Sequence, residues 1–256
     1  MSAKSIFFKR LGAMALTAGI VFGALAVNAQ PVSAAEKFKV ADTKYEKSYK
    51  LDDGKVYFEA KGVFPEIKSN TKAAKKINQE LKKVKNEWIR QSKKEASDAK
   101  SFFDSVNANE EVPMPEWNSS DVITYEVTNN DGKYFSVLLS RYLYEGGAHG
   151  SPYRVAMTFD SKTGEKLTAA KLLGTTKAKM NAKVRSLYLK KYDEESTESE
   201  FYGEGESGRA ALETALKPKD FNDSFYVKNG NAVFYVYPYE LGPYAAGFIE
   251  VSAPVK

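Results

Sequence analysis

The chain of 256 residues contains no cysteine and only one histidine, His149. The absence of cysteine excludes disulfide bonds, thiolate metal ligands and a cysteine nucleophile. A zinc site needs three or four His, Cys or carboxylate ligands, and no second histidine is present to join His149. We therefore expect neither a metal nor any other cofactor.

Motifs for nucleotide hydrolysis and serine catalysis are also missing. The sequence contains no G-x-x-x-x-G-K-[ST] loop and no G-x-S-x-G elbow, and a serine triad would depend on the single His149. We therefore predict that the protein is not an enzyme. Hydrolysis of a polysaccharide by paired carboxylates is the alternative, since such pairs carry no sequence signature. Glu145 and Glu240, each beside a rigid turn, are the pair to test.

The N-terminal region has the three parts of a secretory signal peptide. Three basic residues lie within the first ten positions, an apolar stretch covers residues 11–27, and small residues follow. We predict a signal peptide over residues 1–35, with cleavage after Ala34 or Ala35. The mature protein is then secreted or periplasmic, at the cell envelope, and has no further membrane span. Retention of the apolar stretch as an anchor is the alternative.

The net charge of the mature chain is small. The full chain has 38 Lys and Arg residues and 33 Asp and Glu residues. Removal of the signal peptide takes away three basic residues and no acidic ones, which leaves 35 against 33, or +2. Nucleic-acid binders need a concentrated basic surface. We therefore expect no nucleic-acid partner.

A long amphipathic helix is predicted over residues 71–100. Apolar side chains recur there at spacings of three and four, namely Ala74, Ile77, Leu81, Val84 and Trp88. The opposite face is rich in lysine, with Lys75, Lys76, Lys82, Lys83 and Lys85. This face is either a basic surface for an anionic wall polymer or for lipid headgroups, or simply a solvated helix face.

The remaining pattern indicates β-hairpins with helices inserted between them. Asn130-Asp131-Gly132 and Asn229-Gly230 are hairpin turns, because Asn, Asp and Gly tolerate positive φ. Helical segments follow Thr168. We predict an α+β fold of two small units, over residues 36–145 and 146–256. Each unit is expected to be an antiparallel sheet with a helix packed on one face.

Two turn-rich segments carry the candidate binding residues. In YPYELGPYAAG, over residues 237–247, prolines restrict φ and tyrosines offer broad amphipathic faces. In YEGGAHGSPY, over residues 144–153, glycines let the chain reverse around the histidine. The alternative is that both segments are structural corners, with the tyrosines half-buried and the histidine locking a turn. The candidate binding residues are Glu145, His149, Tyr237, Pro238, Tyr239, Glu240, Pro243 and Tyr244.

The stretches YEGGAHGSPYRVAMTFDSKTGEKLTAAKLL and AVFYVYPYELGPYAAGFIEVSAP carry a family resemblance. They resemble the extracellular portion of RsiV-type anti-sigma factors and the related PdaC-like module that precedes some peptidoglycan deacetylase domains. The resemblance implies two successive α+β units that sense or bind a ligand at the cell surface. In the RsiV type the second unit recognises lysozyme, and its contact region would correspond to residues 237–244. Ten residues precede the apolar stretch in the sequence, so we expect the sensor half of such a protein without the sigma-binding segment.

Asp160 needs a separate interpretation. Thr158-Phe159-Asp160 resembles the TFDD strand end of polysaccharide deacetylases, but Ser161 takes the place of the second aspartate. We therefore interpret Asp160 as a turn residue whose carboxylate accepts backbone N–H groups.

These observations favour a non-catalytic binding or sensing module of the bacterial cell envelope. The expected partners are a lysozyme or a cell-wall glycan. The alternatives are a polysaccharide hydrolase and an accessory protein of an envelope complex. The sequence predicts no oligomeric state.

Overall fold

The computed structural model describes residues 37–108, 118–194 and 200–255. The predicted signal peptide, residues 1–35, lies outside the described residues. Within the described part of the chain, no helix is both long enough and apolar enough to cross a membrane.

The first half of the chain forms a five-stranded sheet covered by one long helix. The elements are β1 (Val40–Lys50), β2 (Val56–Ile67), α1 (Lys72–Asn107), β3 (Ser119–Asn130), β4 (Tyr134–Tyr144) and β5 (Ser151–Asp160). The strands lie in the order β1-β2-β3-β4-β5. All neighbours are antiparallel except β2 and β3, which are parallel. The connection between β2 and β3 contains α1, and such a helical crossover returns the chain to the end of the sheet where it started.

Helix α1 forms where the apolar spacing predicts it and extends seven residues further. Thr71 caps its start, since the Thr71 Oγ1 accepts a hydrogen bond from the Ala74 N–H at 3.2 Å. The predicted apolar stripe is buried completely against the sheet, with no member more than 3 % exposed. It packs on the sheet residues Phe58, Phe64, Ile123 and Phe135 within one core.

The second half forms a smaller layer of helices on a three-stranded sheet. The elements are α2 (Ala169–Leu172), α3 (Lys177–Glu194), α4 (Gly205–Leu216), β6 (Phe225–Lys228), β7 (Asn231–Val236), a 3-10 turn (Tyr244–Ala246) and β8 (Ile249–Pro254). The sheet is antiparallel, in the order β6-β7-β8. Asn229 and Gly230 have φ values of 50° and 73°, as the two positions of a type I′ hairpin turn require. The α+β class predicted from the sequence is confirmed.

The two sheets contact each other through a small apolar cluster and a buried hydrogen bond. Leu138 and Ala156 of the first sheet pack with Tyr226 and Tyr235 of the second. The predicted boundary between residues 145 and 146 lies within the first sheet, because β5 pairs with β4 from Ser151 to Asp160. The glycine-rich turn near this boundary connects two neighbouring strands, β4 and β5.

Candidate binding site: an aromatic corner

The connection between β4 and β5 places His149 at one edge of the first sheet. Gly146 and Gly147 have φ values of 94° and 90°, which lets residues 145–150 reverse the chain. The N–H of Gly150 donates to the Tyr142 hydroxyl at 2.7 Å. A Cβ atom at Gly150 would lie 2.6 Å from the Leu143 carbonyl oxygen, so glycine is required at this close approach.

Four aromatic side chains meet at this turn, and we name them the aromatic corner: Tyr142, His149, Tyr239 and Tyr244. The His149 ring stacks on Tyr244, with centroids 3.7 Å apart and planes inclined by 15°. Tyr239 and Tyr244 have centroids 5.7 Å apart. Burial raises the pKa of Tyr244, and the neighbouring Tyr142 hydroxyl adds to the rise. The rings of His149, Tyr239 and Tyr244 therefore form one contacting group, and Tyr142 joins it through its hydroxyl.

Hydrogen bonds fix the tautomer of His149. Its Nδ1 lies 3.0 Å from the carbonyl oxygen of Gly150, and its Nε2 lies 3.1 Å from the Tyr239 hydroxyl. A carbonyl only accepts, so Nδ1 carries the hydrogen in the neutral ring and Nε2 accepts from Tyr239. The Tyr244 hydroxyl donates to the same Gly150 carbonyl at 3.1 Å. The imidazole therefore joins the two turn-rich segments.

Tyr239 is the most exposed large aromatic residue of the corner and has an unfavourable backbone. Its side chain is 55 % exposed and its φ is 68°. The left-handed region costs a residue with a side chain on the order of 1–2 kcal/mol. Two backbone bonds hold the conformation, from the Tyr239 N–H to the Gly242 carbonyl and from the Glu240 N–H to the Tyr237 carbonyl, each 3.0 Å long. Strain at an exposed side chain that gains little from packing is typical of a functional position.

Two family models match the chain. Residues 51–152 match the model described as Deacetylase PdaC, and residues 170–256 match the model described as Protein of unknown function (DUF3298). The chain combines a PdaC-like region with a DUF3298 region. This confirms the predicted resemblance to the deacetylase-associated module. No curated protein matches the chain.

Two solved structures share the fold. A DUF3298 family member from Bacteroides fragilis has a TM-score of 0.62 and 15 % identity, over 85 % of this chain and 90 % of that one. A DUF3298 family protein from Pseudomonas aeruginosa has a TM-score of 0.53 and 15 % identity, over 88 % of this chain and 97 % of that one. At this identity the likeness extends to the fold alone.

The aromatic corner is built from both matched regions. Tyr142 and His149 lie in the PdaC-like region, whereas Tyr239 and Tyr244 lie in the DUF3298 region. His149 and Tyr239 are separated by 90 positions in sequence. Tyr142 is missing from the residues predicted as candidates. It is 40 % exposed between the buried neighbours Arg141 and Leu143, and this alternation along β4 is the signal that could have found it.

Tyr237 supports the DUF3298 side of the corner from inside. Its hydroxyl donates to the Arg154 carbonyl at 2.7 Å, and its ring packs edge-on against Tyr235 and Phe248. Burial raises the pKa of Tyr237 well above its ordinary value. The hydroxyl is therefore committed to an internal acceptor, and the role of Tyr237 as a binding residue stays a prediction.

The carboxylate of Glu240 stabilises the turn before Tyr244. Its Oε2 accepts from the Tyr237 N–H at 2.9 Å, and its Oε1 lies 3.2 Å from the Lys219 Nζ. Pro243, with φ −64°, precedes the 3-10 turn that carries Tyr244. Pro238 lies between Tyr237 and Tyr239 and is partly exposed. These residues shape the loop, while Tyr239 and Tyr244 supply its aromatic surface.

Glu145 lies in a different environment from Glu240. Burial raises the pKa of both Glu95 and Tyr153, and the charge of Glu145 adds to each rise. Arg141 lies 3.8 Å from Glu95 and offsets part of the rise in the pKa of that carboxyl. The structure therefore places Glu145 with a group on α1 and β5, and Glu240 with Tyr237 and Lys219. Within the described residues, no three His, Asp or Glu side chains are arranged to hold a metal ion.

Asp160 is a turn residue, as predicted. Its Oδ1 accepts from the N–H groups of Lys162 and Thr163 at 2.9 and 2.7 Å. Burial opposes ionisation, but these hydrogen bonds prevail and lower the pKa of Asp160. Its carboxylate is therefore committed to the backbone.

A Gly-x-Gly-x-x-Gly pattern at Gly203, Gly205 and Gly208 is a further feature that the sequence interpretation missed. In dinucleotide-binding folds this pattern follows a strand of a parallel sheet. Here the preceding described element is helix α3, and the glycines begin α4. A Cβ atom at Gly208 would lie 2.6 Å from the Gly203 carbonyl carbon, so the pattern serves a tight backbone crossing in the DUF3298 region.

Proposed function

We propose that this protein is an exported, non-catalytic binding module of the bacterial cell envelope, and that its aromatic corner contacts a lysozyme or a cell-wall glycan. The proposal rests on Tyr239. Its ring is exposed, its backbone is strained, and its hydroxyl is hydrogen-bonded to His149. A structural role alone gives no reason to hold a large ring in solvent at positive φ.

The rigidity of the corner supports binding. Stacking of His149 on Tyr244 and the two backbone bonds of the Tyr239 turn hold the rings in one arrangement. Side chains that are already ordered lose little conformational entropy when a ligand binds. Tyrosine is enriched among the residues that dominate binding energy, because it combines a large apolar face with a hydroxyl.

The family resemblance supports the choice of partner. In the RsiV-type proteins that the sequence resembles, the second unit recognises lysozyme, and its contacts include a Pro/Tyr region that would lie within residues 237–244. Tyr239 and Tyr244 lie in this segment and face His149. The flat faces of the same rings also suit stacking on sugar rings, which is why a cell-wall glycan is the second ligand to test.

Calorimetric titration with lysozyme and with purified peptidoglycan tests the proposal. We expect binding to at least one of them, weakened about tenfold or more by Tyr239→Gly. Glycine accepts the positive φ, so the free energy of unfolding of this variant should lie within about 1 kcal/mol of the wild-type value. Phe102→Ala is the matched control, because Phe102 is an aromatic residue of similar exposure, 46 %, on α1. No binding of either ligand by the wild type, or equal affinity in Tyr239→Gly, would contradict the proposal.

The absence of catalysis needs its own measurement. Purified protein incubated with peptidoglycan should release neither reducing sugar nor muropeptides. Release that disappears in Glu145→Gln or Glu240→Gln would show a hydrolase instead. Both substitutions keep the side-chain shape and remove only the charge. A loss of activity in these variants would therefore not be explained by unfolding.

Export is tested by the mass of the protein recovered from outside the cytoplasm. We expect a mature chain that begins at Ala35 or Glu36, as cleavage after Ala34 or Ala35 requires. Recovery of the uncleaved chain in the membrane fraction would support the anchor instead.

A further inference from the structure

Helix α1 presents a strip of positive charge along the face that points away from the core. At 100° per residue, exposed positions three, four and seven apart fall within an arc of about 120° around the helix axis. In the first half of the helix this arc contains five exposed lysines and only uncharged residues otherwise. They are Lys72, Lys75, Lys76, Lys82 and Lys83.

The same arc continues through the second half of the helix. It contains four more exposed cations there, Arg90, Lys93, Lys94 and Lys100. From Lys72 to Lys100 the arc holds no acidic residue, and we name these nine residues the basic strip. At 1.5 Å per residue the basic strip is about 42 Å long.

Three acidic residues of α1 lie on one flank of the basic strip. Glu80, Glu87 and Asp98 pair from this flank with three of its nine members. Lys100 pairs with Asp104, beyond the end of the strip. The other five members, all lysines, form no ion pair with any residue that the structure describes. A merely solvated helix face usually interleaves the two signs, and this face does not.

The lysines at the start of α1 oppose its own dipole. The N-terminal end of a helix carries partial positive charge, which favours acidic residues and disfavours cations. The first turn of α1 contains no acidic residue, whereas Lys72, Lys75 and Lys76 lie in its first two turns. This arrangement lowers the stability of the isolated helix. An anion bound along the strip would remove the conflict.

The shape of the strip indicates the class of partner. Its charges follow a nearly straight line, and the apolar stripe of α1 is buried against the sheet and is therefore not free to enter a bilayer. The strip contains no aromatic side chain on which a nucleic-acid base could stack. We propose that the basic strip binds a linear polyanion, a polymer of phosphate or carboxylate groups, laid along the axis of α1.

The low net charge of the mature chain conceals this feature. Net charge sums over the whole surface, while attraction of a polymer depends on how charges are distributed. Lys85, which the sequence grouped with the basic face, lies outside the strip: its Nζ donates to the Thr43 Oγ1 at 3.2 Å and lies over the Phe64 ring.

Fluorescence titration of labelled inorganic polyphosphate, and separately of poly-glutamate, tests the inference at several salt concentrations. The strip variant replaces Lys72, Lys75, Lys76 and Lys82 by glutamine, and these lysines have no ion pair to lose. The control variant likewise replaces four exposed lysines elsewhere by glutamine, namely Lys162, Lys179, Lys183 and Lys217. Both variants therefore change the net charge equally. We expect affinity for at least one polymer to fall about tenfold or more in the strip variant only, with a shallower salt dependence.

Other outcomes would overturn the inference. Equal losses in the two variants would show attraction by net charge alone. Tighter binding to phosphatidylglycerol vesicles than to either polymer would assign the strip to a membrane surface, and tighter binding to oligothymidylate than to polyphosphate would assign it to nucleic acid. Circular dichroism confirms that each variant is folded. Because no residue of the aromatic corner is changed, ligand binding at the corner should persist in the strip variant, so the two proposals fail independently.

Discussion

Arg141 and Asp121 form a bidentate ion pair inside the core between α1 and the first sheet. The Arg141 Nε donates to Asp121 Oδ1 at 2.8 Å and its Nη2 to Oδ2 at 2.9 Å, and their side chains are 5 % and 0 % exposed. The Trp88 Nε1 also donates to Asp121 Oδ1, at 2.9 Å. The pair therefore joins β3, β4 and α1 through a single buried carboxylate.

Removal of this carboxylate should destabilise the protein strongly. Asp121→Ala removes the acceptor of two buried Arg141 hydrogen bonds and of the Trp88 N–H, which costs about 3–5 kcal/mol. Urea unfolding measures the change. Lys100→Ala is the control, because its partner Asp104 is exposed and such pairs contribute about 0.5 kcal/mol. Similar losses of stability in both variants would show that the buried ion pair contributes no more than an exposed one.

Glu95 should make stability depend on pH in the direction opposite to that of most carboxylates. Burial raises the pKa of Glu95, Arg141 lowers it in part, and Glu145 raises it again; Lys94 and Asp98 have smaller effects. The folded protein therefore holds this proton more tightly than the unfolded chain. The resulting stability is present at acid pH, below the ordinary pKa of 4.5, and is lost as pH rises through the raised value.

Glu95→Gln should consequently raise stability at pH 7 relative to the wild type and leave it nearly unchanged at pH 4. Urea unfolding at both pH values measures the difference. Glu145→Gln should give a smaller gain at pH 7, because it removes only one cause of the shift. A loss of stability in Glu95→Gln at pH 7 would show instead that its contact with Arg141 dominates.

Gly242 should not tolerate a side chain. A Cβ atom there would lie 1.8 Å from the Glu200 carbonyl oxygen and 3.0 Å from Ile249 Cδ1. Gly242→Ala must displace the loop below Tyr239, at a cost of about 2–3 kcal/mol, measured by thermal unfolding. Gly230→Ala is the comparison, since no atom lies within 4 Å and only its φ of 73° opposes the change. A smaller effect at Gly242 than at Gly230 would contradict the prediction.

Ser136 should stabilise the contact between the two sheets. Its Oγ accepts from the Val227 N–H at 2.9 Å and lies 2.9 Å from Thr158 Oγ1, all buried. Ser136→Ala leaves the Val227 N–H without an acceptor, which costs about 1–3 kcal/mol in chemical denaturation. Ser140→Ala, exposed on the same strand, should change stability by less than about 0.5 kcal/mol. Equal effects in the two variants would show that the hydrogen bond between Val227 and Ser136 does not stabilise the protein.

Elements that depend on local spacing could be predicted well. The stripe from Ala74 to Trp88 predicts α1 because a helix repeats every 3.6 residues and one face must be buried. Asn229-Gly230 predicts a hairpin because both positions need positive φ. The parallel pairing of β2 with β3 could not be predicted in this way, since the direction of a strand depends on where the crossover helix docks.

The residues of the candidate site also differ in how far the sequence alone could predict their roles. Sequence alone picked out His149, Tyr239 and Tyr244, because glycine, proline and tyrosine in tight turns have recognisable local chemistry. It could not separate Tyr237, which is largely internal, from Tyr239, which is exposed, because burial depends on what the rest of the chain brings against each ring. It also placed Glu145 and Glu240 together, whereas their neighbours in the fold differ.

The amino-acid order by itself determined the helix, the hairpins, the α+β class and the line of lysines on α1, since each follows from the geometry of neighbouring residues. Only the tertiary structure decided that His149 stacks on Tyr244 and that β5 completes the first sheet. Contacts between residues about ninety positions apart require the packing of two cores, and no local rule of spacing contains that information.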